Sequence, residues 1–146
     1  MASHSLIQGL IKSGIEVDLF FLNTKKHFVP LHKTKEIFEG AKEVVQVDID
    51  TDIKLTGALK SLIKGDSYNI ERFNVPEAHK ALLGLLDKNE YDFIHFETLF
   101  VAPYLATVRA HGDSKCVLRL HNIEYQIWEK LASSSQSGAR KIYLSY

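Results

Sequence analysis

Residues 115–131 constrain the fold more than any other stretch, because they join an apolar run to a helical pattern through a polar corner. The run at residues 116–120 is short and rich in branched side chains, which is typical of a buried strand. His121 and Asn122 follow at once, and apolar residues then recur at helical spacing. In an open α/β sheet such a corner lies at the carboxyl end of a strand, where ligands bind. A structural alternative stays open, in which Asn122 caps the helix and Glu124 favours its first turn.

The rest of the chain alternates between helix-like and strand-like apolar patterns, with short loops between them. Helices are predicted at residues 3–12, 33–40, 55–63, 101–111 and 139–146, with another that begins at Pro76. Gly14 and Gly40 are expected to end the first two. The buried face of the helix after Pro76 is expected to consist of Ala78, Leu82, Leu85 and Leu86, and the apolar side of the helix at residues 101–111 of Leu99, Val101, Tyr104, Leu105 and Val108. Strands are predicted at residues 17–22, 44–47 and 93–96, and the last of these is expected to be buried. This alternation predicts a parallel sheet with helices on both faces. The expected fold class is therefore α/β, a Rossmann-like doubly wound parallel sheet, in one domain over residues 1–146.

The order of the first elements predicts an incomplete sheet. A helix followed by a buried strand is the second half of a βαβ unit, so we expect the first strand of the domain, and also its end, to be missing. Residues 17–22 would then carry unpaired backbone groups along one edge, and such edges promote self-association. The isolated chain is therefore expected to form oligomers or to be poorly soluble.

Composition argues against several classes of protein. Eighteen basic and eighteen acidic residues balance, so no nucleic-acid partner is expected. The single cysteine, Cys116, cannot form an internal disulfide and is expected to be buried and reduced. No apolar run approaches the ~20 residues of a membrane span, and the N-terminus lacks the layout of a signal peptide. A cytoplasmic location is therefore predicted.

The polar segments of the first half have a structural and a functional interpretation. The basic loop at residues 23–32 could contact an anion, although a solvated loop is favoured. Its two histidines, His27 and His32, do not have the spacing that puts two ligands on one helix face, so no metal site is predicted.

The same choice applies to the acidic turn at residues 48–52. It lacks the glycine and the glutamate of an EF-hand loop, so a helix cap at Asp50 or Thr51 is favoured over a cation site. The lysine-flanked helix at residues 55–63 could lie on an anionic membrane, but packing on the sheet is favoured. Arg72 could meet a phosphate or pair with a carboxylate, and the sequence does not separate these.

Glu97 and Trp128 each have a functional and a structural interpretation. Glu97 directly follows the strand at residues 93–96, where it could accept hydrogen bonds from ligand hydroxyls. The alternative is an acid that caps the helix at residues 101–111. Trp128 lies on the helix after the polar corner, and we expect it to pack in the core rather than on a ligand.

Four stretches together resemble the N-terminal domain of glycosyltransferase family 4-like enzymes, which are two-domain GT-B proteins. The main one is LRLHNIEYQIWEKLA at residues 118–132, with an Arg-x-His-Asn-x-Glu segment and a following Trp. The others are GIEVDLF at residues 14–20, YNIERF at residues 68–73, and YDFIHFE at residues 91–97 with APY shortly after. The resemblance covers nearly the whole chain.

This resemblance implies an activity. Such enzymes move a sugar from an activated donor, usually a nucleotide sugar, to an acceptor hydroxyl with retention, generally without a bound metal, and no cofactor is expected. Their second domain holds the nucleotide, so the C-terminal donor-binding domain is expected to be absent and this chain alone to be inactive. The acceptor would be a glycan or a lipid-linked molecule, which is compatible with peripheral contact with a membrane.

The resemblance also implies a site. By position, His121 matches the family's histidine near the donor sugar and is the expected catalytic residue. Glu97 would orient acceptor or donor hydroxyls. Arg119 is expected on the same strand face as His121, where it would hold an anionic group or pair with Glu124. Asn122 and Glu124 complete the expected substrate-binding set.

A non-enzymatic Rossmann-like binding or interaction module is the alternative. A dinucleotide-dependent oxidoreductase is disfavoured because the chain has no Gly-x-Gly-x-x-Gly, although the missing first strand could have carried one. The motif series favours the transferase.

Overall fold

The computed structural model describes residues 2–53 and 67–120, which form a mixed α/β structure. The helices are α1 (Ala2–Lys12), α2 (Leu31–Ile37), α3 (Tyr68–Glu71), α4 (Pro76–Leu86) and α5 (Leu105–His111). The strands are β1 (Asp18–Thr24), β2 (Glu43–Ile49), β3 (Phe93–Phe96) and β4 (Lys115–Leu118). A 3₁₀ segment follows β1 at Lys25–His27, and another precedes α5 at Leu99–Tyr104.

Several predictions fall on other parts of the chain. The predicted helices at residues 55–63 and 139–146, and the predicted roles of His121, Asn122, Glu124 and Trp128, lie outside the described residues. In the part that is described, no helix has the length and apolar character needed to cross a membrane.

The first helix is confirmed, and it ends at the predicted glycine. Gly14 has a φ of 79°, and its N–H donates to the Ile11 carbonyl at 3.0 Å. The next N–H, of Ile15, donates to the Leu10 carbonyl at 3.1 Å. These two bonds form a Schellman cap, which needs a left-handed residue that glycine supplies without strain. The cap turns the chain towards β1.

β1 and β2 form a parallel ladder, and both run further than predicted. β1 continues through Asn23 and Thr24, which the sequence analysis places in a loop, and β2 continues through Asp48 and Ile49. Asn23 and Asp48 are register partners, and Asn23 Nδ2 donates to Asp48 Oδ1 at 2.7 Å. This polar pair lengthens the ladder, so the apolar pattern alone ended both strands too early.

α2 begins and ends earlier than the helix predicted at residues 33–40. Pro30 precedes it in an extended conformation, and Phe38 already leaves the helix. Gly40 has a φ of 93° and therefore closes the turn after α2 rather than the helix itself. The ring of Phe38 stacks on Phe21 of β1 with centroids 5.2 Å apart, which fixes this turn against the sheet.

Replacing Gly40 by alanine is expected to destabilise the fold by about 1–3 kcal/mol. An alanine would be strained at this φ, and its Cβ would lie 2.8 Å from Ile11 Cγ2 on α1. Chemical denaturation measures the loss. Gly9→Ala is the matched control, because nothing lies within 4 Å of a Cβ at that helical position and alanine favours helix. Equal losses in both variants would contradict the prediction.

α4 has the start and the buried face that the sequence predicts. Pro76 lies in its first turn, where the missing N–H has no helical partner to lose. The four predicted apolar residues are all buried; they are Ala78, Leu82, Leu85 and Leu86. Three of them belong to one buried cluster with residues of β3, of the second 3₁₀ segment and of α5. The cluster consists of Ala78, Leu82, Leu86, Phe96, Tyr104 and Val108.

The predicted helix at residues 101–111 is correct only in its second half. The chain is 3₁₀ from Leu99 to Tyr104 and becomes α-helical at Leu105. Pro103 lies inside the 3₁₀ part and has no N–H for an α-helical bond. Tyr104 and Val108 from this region are nevertheless buried as expected, with exposed fractions of 1% and 2%.

β3 has the predicted bounds, but the prediction that β3 and β4 are buried strands is wrong for the described structure. Phe96 is buried, whereas Phe93 is 63% exposed on the opposite face. β4 ends at Leu118, earlier than predicted, and Val117 is 48% exposed. Cys116 is half-buried rather than buried, with Sγ 3.4 Å from the Ser114 carbonyl.

Within the described ranges, the strands form two parallel two-stranded sheets, β1–β2 and β3–β4, rather than one doubly wound sheet. The buried cluster of α4 and α5 covers one side of both, and the strand residues packed against it are Phe20, Leu22, Val47, Ile94 and Cys116. Phe38, in the turn after α2, contacts the other face of β1, and His4 of α1 lies next to it, with ring centroids 5.6 Å apart. The parallel pairing and the α/β class are confirmed, and the continuous sheet is not found in these ranges.

Candidate functional site

The carboxyl ends of β3 and β4 carry charged side chains at neighbouring positions. Glu97 directly follows β3, and Arg119 directly follows β4. The Arg119 N–H donates to the Phe96 carbonyl at 2.8 Å, which extends the ladder one step past β4. Because the two strands are parallel, both side chains lie at the same edge of the sheet.

The Glu97 carboxylate binds groups from three elements. The hydroxyl of Ser3, in the first turn of α1, donates to Oε2 at 2.6 Å. Arg119 Nη1 lies 3.4 Å from Oε1. His95 Nε2, from β3, lies 3.4 Å from the same oxygen. We call these four residues the Glu97 cluster.

The cluster can be reached from solvent. The side chains of Glu97, His95 and Arg119 are 28%, 35% and 38% exposed, so each is partly enclosed by protein. A carboxylate is a pure hydrogen-bond acceptor, and the Glu97 carboxylate lies beside the Arg119 guanidinium. A ligand hydroxyl could therefore donate to Glu97 or replace one of its protein donors.

The structure brings together two of the predicted site residues and adds two that the sequence analysis missed. Glu97 and Arg119 meet, whereas His121, Asn122 and Glu124 lie outside the described residues. The sequence could have indicated His95, because it precedes Glu97 by two residues and residues two apart in a strand share a face. The sequence could not have indicated Ser3, because only the packing of α1 brings it to this edge.

These contacts bear on the alternatives left open for Glu97 and Arg119. The N-cap of the 3₁₀ segment after β3 is Thr98, which makes no side-chain capping bond. Glu97 instead contacts α1, β3 and the end of β4, so its observed contacts lie at the sheet edge. Arg119, for which an anion or Glu124 was considered, contacts Glu97.

The other strand ends favour the structural interpretation of the basic loop and join it to the acidic turn. The helix cap at Asp50 or Thr51 stays a prediction, because the helix predicted after it lies outside the described residues. Asn23 is buried, accepts from the Val29 N–H at 3.0 Å and thereby ties the loop to β1. Lys25 Nζ lies 3.2 Å from carboxylate oxygens of both Asp50 and Asp52. Hydrogen bonds to these two carboxylates raise the pKa of Lys25. The positive charge of Lys25 in the loop is therefore balanced by the two carboxylates of the turn.

Arg72 has other partners than those considered from sequence. Its Nη1 donates to the Thr51 carbonyl at 3.4 Å, and its guanidinium lies 5.4 Å from the centroid of the Phe73 ring.

Within residues 2–53 and 67–120, no group of three or more His, Cys, Asp or Glu side chains is arranged to hold a metal ion.

Tyr91 links the two sheets at the ends where β1 and β3 begin. Its hydroxyl donates to Asp18 Oδ2 at 2.7 Å, and Asp18 Oδ1 accepts from the Glu43 N–H at 2.8 Å. Burial, and then the hydrogen bond to the Asp18 carboxylate, raise the pKa of Tyr91 well above its usual value. The protonated phenol is therefore the form that stabilises the fold.

Tyr91→Phe should reduce the loss of stability in alkali. Because the folded-state pKa of Tyr91 is raised above the ordinary value of 10.0, its contribution is complete below about pH 10 and is lost as pH rises further. The wild type should lose more unfolding free energy than Tyr91→Phe between roughly pH 9 and pH 11. Urea denaturation at each pH measures both slopes. Identical slopes would contradict this account.

Comparison of the chain with protein-family models gives no match, and searches of curated proteins and of solved structures give none either. The resemblance to glycosyltransferases therefore rests on the sequence motifs and stays a prediction.

Proposed function

We propose that the chain is the acceptor-side domain of a retaining glycosyltransferase, which moves a sugar from a nucleotide sugar to a hydroxyl of a glycan or lipid-linked acceptor. The observation that carries the proposal is the Glu97 carboxylate, held between Ser3, His95 and Arg119 at the carboxyl edge of a parallel sheet. Open α/β sheets bind their ligands at this edge. Of the motifs that resemble the family, YDFIHFE ends at this edge with Glu97, and LRLHNIEYQIWEKLA begins there with Leu118 and Arg119.

Each member of the cluster has a role in this proposal. Glu97 accepts hydrogen bonds from sugar hydroxyls. Ser3 and Arg119 already fix its position, so its side chain loses little conformational freedom when a sugar binds. His95 offers a ring nitrogen beside the same oxygen. His121, two residues after Arg119, would contact the donor sugar and stabilise the positive charge that develops on its ring.

Glu97→Gln should weaken sugar binding by at least about tenfold, because a hydrogen bond to a charged group is replaced by a weaker one. The probes are free hexoses and a panel of nucleotide sugars, with binding followed by ligand-observed NMR. Glu77→Gln is the matched control, since Glu77 is an exposed acid in the first turn of α4, away from the cluster. Equal binding by the Glu97 variant, or no binding by the wild type, would count against the proposal.

The 146-residue chain alone should transfer no sugar. The resemblance assigns the nucleotide to a second domain, and this chain carries neither a glycine-rich phosphate loop nor the acidic Glu-x7-Glu segment expected there. Hydrolysis or transfer from the same nucleotide-sugar panel, measured by release of nucleotide, tests this. Sustained turnover by the purified chain would show that the donor site lies within it.

A further inference from the structure

The loop after β1 and the first residue of α2 expose two large apolar side chains. Phe28 is 57% exposed and Leu31 is 42% exposed. They are three residues apart, so their Cα atoms lie within about 11 Å of each other. A single exposed leucine is ordinary on a protein surface, whereas two large apolar side chains together form a small patch that a partner could cover. We call Phe28 and Leu31 the apolar tip.

The backbone at the apolar tip is fixed to the sheet. Asn23 of β1 accepts from the Val29 N–H at 3.0 Å and donates to the Val29 carbonyl at 3.2 Å. Gln46 of β2 donates to the same carbonyl at 2.9 Å, and its side-chain oxygen accepts from the hydroxyl of Thr34 in α2 at 2.8 Å. Loop and helix are thus tied to both strands, so a contact at the apolar tip would require little further ordering of the backbone.

Positive side chains lie beside the apolar tip. Lys26 precedes Phe28 by two residues, and Lys35 follows Leu31 by four, which places it on the same face of α2. Lys33 lies between them in the chain, and all three lysines are exposed. Within residues 2–53 and 67–120, none of the three pairs with a carboxylate. Their charges are therefore available to an external anion.

Nearby acids limit this positive charge. Glu36 is exposed on α2, next to Lys35. At the start of the loop, Lys25 lies 3.2 Å from carboxylate oxygens of both Asp50 and Asp52, so that this group carries one negative charge in excess. Three lysines against one glutamate leave the surface beside the apolar tip positive, but only modestly. A partner must therefore bind through the apolar side chains as well as through charge.

We propose that this surface docks on an anionic lipid bilayer, with the apolar tip inserted at the boundary between headgroups and acyl chains and the three lysines among the headgroups. A bilayer offers apolar depth and diffuse negative charge together, and it needs no matching shape. Nucleic acid offers the charge without an apolar phase. A stable contact with a folded protein would need a larger area than two side chains provide.

Flotation of the 146-residue chain with lipid vesicles tests the proposal. Vesicles of phosphatidylcholine that contain about one third phosphatidylglycerol should bind the wild type, and binding should weaken as salt is added. Vesicles of phosphatidylcholine alone should bind at least about tenfold more weakly. Neither vesicle contains a sugar donor or acceptor, so the result does not depend on the proposed transferase activity.

Matched variants test the insertion of the apolar tip. Phe28→Ser should weaken binding to the anionic vesicles by at least about tenfold, because the burial of one aromatic ring is lost. Ile37→Ser is the control, since Ile37 is 47% exposed and lines a groove between α1 and the turn after α2. It follows Leu31 by six residues and so lies on another side of the helix. Urea denaturation checks that both variants fold.

A second pair of variants tests the charge. Lys35→Gln should weaken vesicle binding by about fivefold. Lys80→Gln should change it little, because Lys80 is exposed on α4, which packs on the opposite face of the sheet from the turn after α2.

Equal binding of Phe28→Ser and the wild type would overturn the proposal, because the membrane contact would then lie elsewhere in the chain. So would a failure of the wild type to bind anionic vesicles, or equally strong binding to duplex DNA at the same salt. A wild-type dimer that Phe28→Ser dissociates, without any vesicle binding, would assign the apolar tip to a second copy of the chain instead.

Discussion

Replacing Tyr104 by alanine is expected to cost about 3–5 kcal/mol of unfolding free energy, the largest loss that we expect from a single core substitution. The side chain is 1% exposed, and its ring centroid lies 4.4 Å from that of His79 and 6.0 Å from that of Phe20. Its hydroxyl donates to the Phe73 carbonyl at 2.6 Å and accepts from the Val75 N–H at 3.3 Å. One residue thus ties β1, α4 and the segment between α3 and α4 together.

Tyr104→Phe divides this loss into packing and hydrogen bonding. The ring stays, but the Phe73 carbonyl and the Val75 N–H lose their partner, which should cost about 1–3 kcal/mol. Leu105→Ala is the neighbouring control, because Leu105 is 39% exposed and should lose less. Urea denaturation of the three variants measures the order. If Leu105→Ala cost as much as Tyr104→Ala, Tyr104 would not be the centre of this core.

The apolar pattern predicted the helices best where a helix has one buried face. α4 matches in its start and in all four buried residues, and α1 matches through its glycine cap. The pattern failed where polar groups extend an element, as in the Asn23–Asp48 pair that lengthens β1 and β2. It also failed at Pro103, since apolar spacing does not distinguish a 3₁₀ segment from an α-helix.

The sequence could place Glu97 at a strand end, because strand ends follow from local pattern. It placed Arg119 inside the strand predicted at residues 116–120, whereas β4 ends at Leu118. It could not show that Glu97 and Arg119 meet, since that depends on β3 and β4 being neighbours in the sheet. The contribution of Ser3 depends on a contact between residues 3 and 97, far apart in the chain. The separation of the two sheets within the described residues is likewise a property of the whole fold, and the sequence analysis predicted only that residues 17–22 would have one unpaired edge.

His121→Ala is expected to lower turnover by about 10²–10³-fold in a polypeptide that contains this chain and transfers sugar. The expectation follows from the resemblance to the glycosyltransferase motif, which implies a contact between this histidine and the donor sugar, and from the edge at which Arg119 lies. His111→Ala is the control, because His111 ends α5 before β4 begins and pairs with Asp87, 3.0 Å away. Thermal unfolding should be nearly unchanged in the His121 variant, so that lost activity reflects the site.

The kinetic signatures of His121 and Glu97 should differ, and this difference tests the proposed roles. If Glu97 binds hydroxyls equally in the ground state and the transition state, Glu97→Gln should raise KM while kcat changes little. If His121 acts on the charge that develops during transfer, His121→Ala should lower kcat and kcat/KM together. A variant of His121 that changes only KM would reduce this residue to a binding role. Full activity in both variants would place the reaction elsewhere, because neither end of the proposed site would then contact the sugar.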